Sequence, residues 1–175
     1  MKTSINTRIY ILFTFLVALW CAGILAAPVL HHAGFTGIAN SSYSFFSRIC
    51  HQNDARSFHV EGEKFGVCIR CSAIYFGFLA GLLLLPLSGA LKGIRVPKPM
   101  LMIAFMIPML VDVALNDTGL HMSTTMTRAA TGILFGGAMP WYIVPILIEA
   151  CSQLIHKKKI QSLDSGVCEY VRKTQ

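Results

Sequence analysis

The sequence predicts an all-α membrane protein: a multi-pass bundle of four transmembrane helices with a small loop subdomain at one end. Composition is the first observation behind this. Hydrophobic residues make up 54% of the 175 residues, charged residues only 13%, and mean hydropathy is +0.60. Soluble domains carry about 25% charged residues, so these charges are too few to cover a soluble globule and suit a surface that faces lipid. The second observation is where the charges are missing. None of Asp, Glu, Lys or Arg occurs between Arg8 and Arg48, Arg70 and Lys92, Lys98 and Asp112, or Arg128 and Glu149. The third is physical: backbone groups left unpaired in hydrocarbon are too costly, so these runs must be helical.

Taken in order, the runs predict helices near 9–30, 72–91, 99–115 and 129–150 in a single membrane domain, with a motif loop at 31–71 and a tail at 151–175. The first starts after Lys2 and Arg8 and ends in Ala26-Ala27, as a signal peptide would. Its apolar core exceeds the ~7–15 residues of a signal h-region, and Pro28 would obstruct cleavage, so it reads as a retained anchor. The third is the shortest and carries Pro108 and Asp112. Gly77 and Gly81 in the second helix, and Gly132 and Gly136 in the fourth, recur at i and i+4 and predict small-residue packing faces.

Net charge is +7, but the basic residues cluster in short segments between apolar runs. They form no stripe with interleaved aromatics, so lipid head groups are the expected partner and nucleic acid is not. The N-terminus, the second loop (Lys92, Arg95, Lys98) and the tail (Lys157 to Lys159, Arg172, Lys173) together hold ten Lys and Arg, against five on the other side. The positive-inside rule then predicts a cell-membrane protein with both termini in the cytoplasm and the motif loop outside. The aromatics Phe35, Tyr43, Phe45 and Phe46, with Ile38, predict a segment lying along the membrane surface before Cys50. His31, His32 and His121 read as interfacial residues.

The chemistry concentrates in the motif loop. Cys50-His51-Gln52 is followed by Cys68-Ile-Arg-Cys71. Between them, Ser57–Val60 and Glu63–Val67 can pair as a short β-hairpin around Glu61-Gly62, which would bring Cys50 near Cys68. Three readings of the cysteines compete. The first is a metal site. Cys68-x2-Cys71 has the spacing that lets two thiolates grip one ion, Cys50 adds a third, and His51 or His59 supplies the fourth ligand, a set that suits zinc. His59 is preferred, because adjacent residues such as Cys50 and His51 seldom reach one ion together. The second is thiol–disulfide chemistry coupled to a membrane quinone: a CxxC at a helix N-terminus has a lowered thiol pKa, and Arg56 and Arg70 would lower it further. The third is a structural disulfide with one cysteine free. Cys21 reads as apolar filler, and Cys151 and Cys168 as reduced thiols.

Around the cysteines, Gln52 and Ser57 can satisfy loop backbone, and Arg56 and Arg70 can anchor at head groups. Asp112, a carboxylate in an apolar helix, needs a partner or an interior position. Arg128 at the start of the fourth helix is the expected partner, either as a structural ion pair or leaving Asp112 as a counter-charge beside the cysteines.

At these residues the chain resembles the prokaryotic membrane proteins called domain of unknown function 2085. The resemblance lies in Cys50-His-Gln, Arg56-Ser-Phe, Val67-Cys-Ile-Arg-Cys71 and Tyr75-Phe-Gly77, then in Asp112 and Arg128-Ala-Ala-Thr-Gly132. Ser72-Ala73 stands where that family often has Thr-Gly, and Val113 where Gly often follows the Asp. The resemblance implies a multi-pass membrane protein whose site includes Arg56, Arg70, Tyr75, Asp112 and Arg128 beside the cysteines. It implies no particular activity. The sequence holds no Walker A, GxSxG or HExxH motif, so it commits to no enzymatic reaction. A transport or accessory subunit ranks last, because the fourth helix lacks the Gly/Pro-broken pattern shared between two halves.

Overall fold

A computed structural model describes residues 2–88, 96–120 and 123–173, with the backbone alone for 2–5, 156 and 158–173. Lys92, Arg95 and His121 lie outside the described residues, as do the side chains of Lys158, Lys159 and Cys168. The chain runs α1 (Lys2–His32), α2 (Thr36–Phe46), a 3-10 turn (Asp54–Arg56), β1 (Ser57–Val60), β2 (Glu63–Cys68), α3 (Ile69–Leu84), a second 3-10 turn (Leu85–Ser88), α4 (Pro99–Asp117), α5 (Thr125–Ala138) and α6 (Pro140–Lys173). Among the described residues, four spans are long and apolar enough to cross a membrane: Asn6–His32, Ile69–Ser88, Pro99–Asp117 and Thr125–Ile155. The helical bundle with a small antiparallel hairpin is the architecture expected.

Prolines account for two departures in detail. The second helix ends at Leu84 and tightens into the Leu85–Ser88 turn, because Pro86 has no N–H for the carbonyl four residues back. That carbonyl, on Leu82, instead accepts from the Tyr10 hydroxyl at 2.7 Å, which ties α1 to α3. The fourth span, expected as one unbroken helix, is interrupted at Met139, where Pro140 likewise has no N–H to donate to the Gly136 carbonyl. The same proline lets α5 and α6 be two helices end to end, so a break does exist in this span.

The α3–α5 contact is the most extensive in the fold. The glycines at i and i+4 of each helix face the backbone of the other helix, the close packing expected. A Cβ on Gly77 would sit 2.8 Å from the Ile133 carbonyl oxygen, and one on Gly132 would sit 2.7 Å from the Ala73 Cβ. With no apolar driving force in lipid, such close backbone approach is what holds helices together. By contrast α4 leans chiefly on α5 and leaves its surface largely open, with only 6% of its apolar span buried. An apolar cavity of about 430 Å³ opens between it and α3, α5 and α6, lined by Gly81, Leu101, Phe105 and Trp141 among others.

The loop subdomain caps one end of the bundle. After α1, Gly34 takes a positive φ of +84° and turns the chain into α2. Phe35, Ile38 and Phe45 are exposed, whereas Phe46 packs inward on Ile24, Val67 and Trp20. This amphipathic segment was expected at the membrane surface. In the hairpin, Glu61 and Gly62 both have positive φ, as the two-residue type I′ turn demands. Gly66 gives β2 room beside α1: a Cβ there would meet Phe46 at 3.0 Å and the Ile24 carbonyl at 3.4 Å. A polar contact of 2.9 Å between His31 Nδ1 and Glu63 Oε1 fastens the end of α1 to the hairpin.

Candidate metal centre

Three elements deliver the three sulfurs. Cys50 ends the turn after α2, where its N–H donates to the Phe46 carbonyl at 3.0 Å. Cys68 is the last residue of β2 and the N-cap of α3. Cys71 lies in the first turn of that helix, so the change from strand to helix folds the CxxC segment back on itself. Hairpin register pairs Cys68 with Ser57. The Cys68 N–H donates to the Cys50 sulfur at 3.2 Å. As a result the Sγ atoms of Cys50, Cys68 and Cys71 all lie within 4.8 Å of one another, and none is in a disulfide.

Tetrahedral zinc with bonds of about 2.3 Å places its sulfurs about 3.8 Å apart, inside the 4.8 Å that bounds all three separations here. Cys50 is buried, the other two half-buried. Hydrogen bonding from the Cys71 thiol, with help from the Cys71 and Arg70 N–H groups and from Cys50, pulls the Cys68 thiol pKa well below its ordinary value, against the opposing effect of burial. Such a thiolate, beside the positive end of a helix, is the form that binds a cation or attacks a disulfide.

The histidines stand differently from the sulfurs. His59 Nε2 lies 3.3 Å from Asp54 Oδ1 on the exposed side of β1, and it does not belong to the sulfur group. A register irregularity between Ser57 and His59 changes the course of the strand just there. His51 lines the same cavity as the sulfurs. His51, like His59, lies outside the sulfur group itself, but it alone of the two lines the cavity.

That cavity, of about 430 Å³, is lined by the three cysteines and by Arg56, Arg70 and Arg128. The arginines come from the turn before β1, the first turn of α3 and the first turn of α5. Asp112 is buried on α4 and pairs with Arg70, not with Arg128 as expected. Arg128 instead donates to Asn116 Oδ1 at 3.0 Å, one turn further along α4. Both pairs join α4 to the helix starts around the sulfurs. Neither Asn116 nor Ser123, whose hydroxyl donates to the Asp112 carbonyl at 3.3 Å, stood out from the sequence. Both are neutral polar residues near a helix end, and no pattern sets them apart.

The remaining motif residues brace the site. Gln52 holds a positive φ of +48° while its Nε2 donates to the Tyr43 carbonyl at 2.8 Å and the Gly66 carbonyl at 2.7 Å. It thus clamps α2 to β2 across the turn that carries Cys50. Ser57 is buried and donates to the Asn53 carbonyl at 2.8 Å. Tyr75 packs edge-on against Trp20, under the cysteines. Cys21 is buried in α1, its thiol near the Tyr75 carbonyl, consistent with a filling role.

The family of predicted membrane proteins called domain of unknown function 2085 matches residues 50–142. The chain belongs to this family. The uncharacterized protein MJ1492 of Methanocaldococcus jannaschii is 35% identical over 153 residues, which is 85% of this chain and 94% of that protein. No solved structure matches. The stretch matched to domain of unknown function 2085 begins at Cys50 itself. It takes in the three sulfurs, the three arginines, Asp112 and the glycine seam, whereas α1 and α2 lie before it.

Proposed function

We propose that this membrane protein carries a zinc centre at the extracytoplasmic face, bound by Cys50, Cys68 and Cys71 with a fourth position open to the arginine-lined cavity. The observation that carries the reading is the convergence of three thiol sulfurs within 4.8 Å from three separate elements. A disulfide staple needs only two. The fourth ligand is His51 or a water; three protein ligands and one exchangeable position is the pattern of zinc sites that act on a substrate. The excess of Lys and Arg on the opposite side supports the outward orientation.

Metal analysis of the detergent-purified protein tests this. About one zinc per chain, lost in a Cys68→Ser variant that still elutes as a folded species, is the expected result. Metal-free protein that takes up no zinc on reconstitution overturns it.

The pairing of Cys68 and Cys71 at the start of α3 favours a second reading, thiol–disulfide exchange. In it the two thiols form an S–S bond, releasing two protons and two electrons, and a membrane quinone takes up both to become the quinol. Reversible oxidation of two thiols in a metal-free protein would select it.

A further inference from the structure

The cavity that holds the sulfurs has a charge imbalance that a metal does not remove. Arg56, Arg70 and Arg128 all line it, and no carboxylate does. Asp112 answers Arg70 from behind. Arg128 has only the neutral Asn116 amide, and the Arg56 side chain makes no ion pair among the described residues. The Nε atoms of both Arg70 and Arg128 are buried and find no hydrogen-bond partner among the described residues. Buried guanidinium N–H groups without acceptors are costly, and a bound ligand is one way they are satisfied. Three arginines less one aspartate leave two positive charges. A zinc ion on three thiolates would bring one negative charge, so an excess of one positive charge persists even with metal in place.

We infer that this cavity binds a phosphate-class oxyanion, held by Arg56, Arg70 and Arg128 beside the cysteine cluster. Guanidinium groups match phosphate oxygens in paired hydrogen bonds, and three of them can address three oxygens, which a carboxylate does not offer. The helices α3 and α5 both start here, and their positive ends add to the field. A cavity of about 430 Å³ holds a small ligand of this kind. It lies at the end of the spans, where the phosphates of lipid head groups also lie, so the group is either free phosphate or the head group of an anionic lipid.

The test uses the full chain in detergent, with and without zinc. Inorganic phosphate is titrated by calorimetry, and phosphatidic acid is compared with phosphatidylcholine for retention in native mass spectrometry. Saturable phosphate binding identifies a free anion; selective retention of phosphatidic acid alone identifies a head group; either supports the inference. Arg56→Gln, at an exposed side chain, and Arg128→Gln should each weaken the binding about tenfold, as expected for loss of one charge-assisted pair. Should Arg128→Gln fail to fold, Arg56→Gln decides. Binding of neither ligand, or binding unchanged in Arg56→Gln, overturns the inference. Zinc content is measured on the same samples: anion binding without zinc uptake defeats the metal reading alone, and zinc uptake without anion binding defeats this one alone.

Discussion

Two parts of the bundle are assembled by different physics. Along α3 and α5 the backbones touch through Gly77, Gly81, Gly132 and Gly136, and no polar side chain is needed. The helix α4 buries little of its surface, leaves an apolar cavity on its inner side, and is fastened at its ends by polar groups. Asp112 meets Arg70 and Asn116 meets Arg128 at the hairpin end, and the Lys98 carbonyl accepts from the Tyr142 hydroxyl at 2.9 Å at the other. Lipid tails are as apolar as leucine, so apolar side chains alone cannot hold a helix to a bundle, and close approach or hydrogen bonding must. The difference shows why the arginines and the cysteines share one place. Arg70 and Arg128, which secure the hairpin end of α4, also line the cavity of the sulfurs, so attachment of a helix and chemistry of a site share these two residues.

The largest effect is expected from breaking the seam. In Gly136→Leu a side chain would have to occupy space already filled by the Ile74 backbone. Overpacking costs about 1–3 kcal/mol where side chains can move, and more where backbone blocks the way. The variant should fail to elute as a single species from size-exclusion chromatography; normal elution would mean that α3 and α5 are not packed along these glycines.

Next comes the α4 clamp. Asp112→Ala leaves Arg70 without its partner and should lower stability to denaturation in detergent by about 3 kcal/mol, since an orphaned partly buried charge costs more than the pair contributes. If it costs no more than a surface substitution, the clamp is not what holds α4.

A smaller loss is expected at the loop. Gln52→Ala removes two side-chain hydrogen bonds between α2 and β2 and should destabilise by about 1–2 kcal/mol. Gln52→Gly loses the same bonds but tolerates the positive φ, so it should recover about 1 kcal/mol of that loss. Equal losses in thermal denaturation would remove the role given to backbone strain at this turn. The smallest change is expected for His59→Ala, within about 0.5 kcal/mol as for other exposed sites and with zinc content unaltered. A His59→Ala protein that loses its zinc would restore His59 as a ligand.

Much of this was legible in the residues, for identifiable reasons. The spans follow from the absence of charge, the hairpin from Glu61-Gly62 between alternating segments, and the seam from glycines four apart. Each of these is a local pattern with a known geometric period. What the sequence did not convey was direction around a helix and the reach of a missing N–H. Asp112 and Arg128 share one end of the bundle, but depth in the membrane does not say which neighbour a side chain faces, and Arg70 faces Asp112. Hydropathy also cannot see that Pro140 lacks an N–H, so the fourth span reads as continuous. His59 lies midway between Cys50 and Cys68 in sequence and His51 next to Cys50, and spacing alone does not show that the irregular register after Ser57 accompanies an exposed His59.

The central claim is that three thiolates from three elements converge on one ion. X-ray absorption at the zinc edge of the zinc-loaded protein addresses it directly. Three sulfurs at about 2.3 Å with one lighter atom at about 2.0–2.1 Å is the coordination shell predicted. A shell of nitrogen and oxygen alone, or one with two sulfurs or fewer, would contradict the three-cysteine centre.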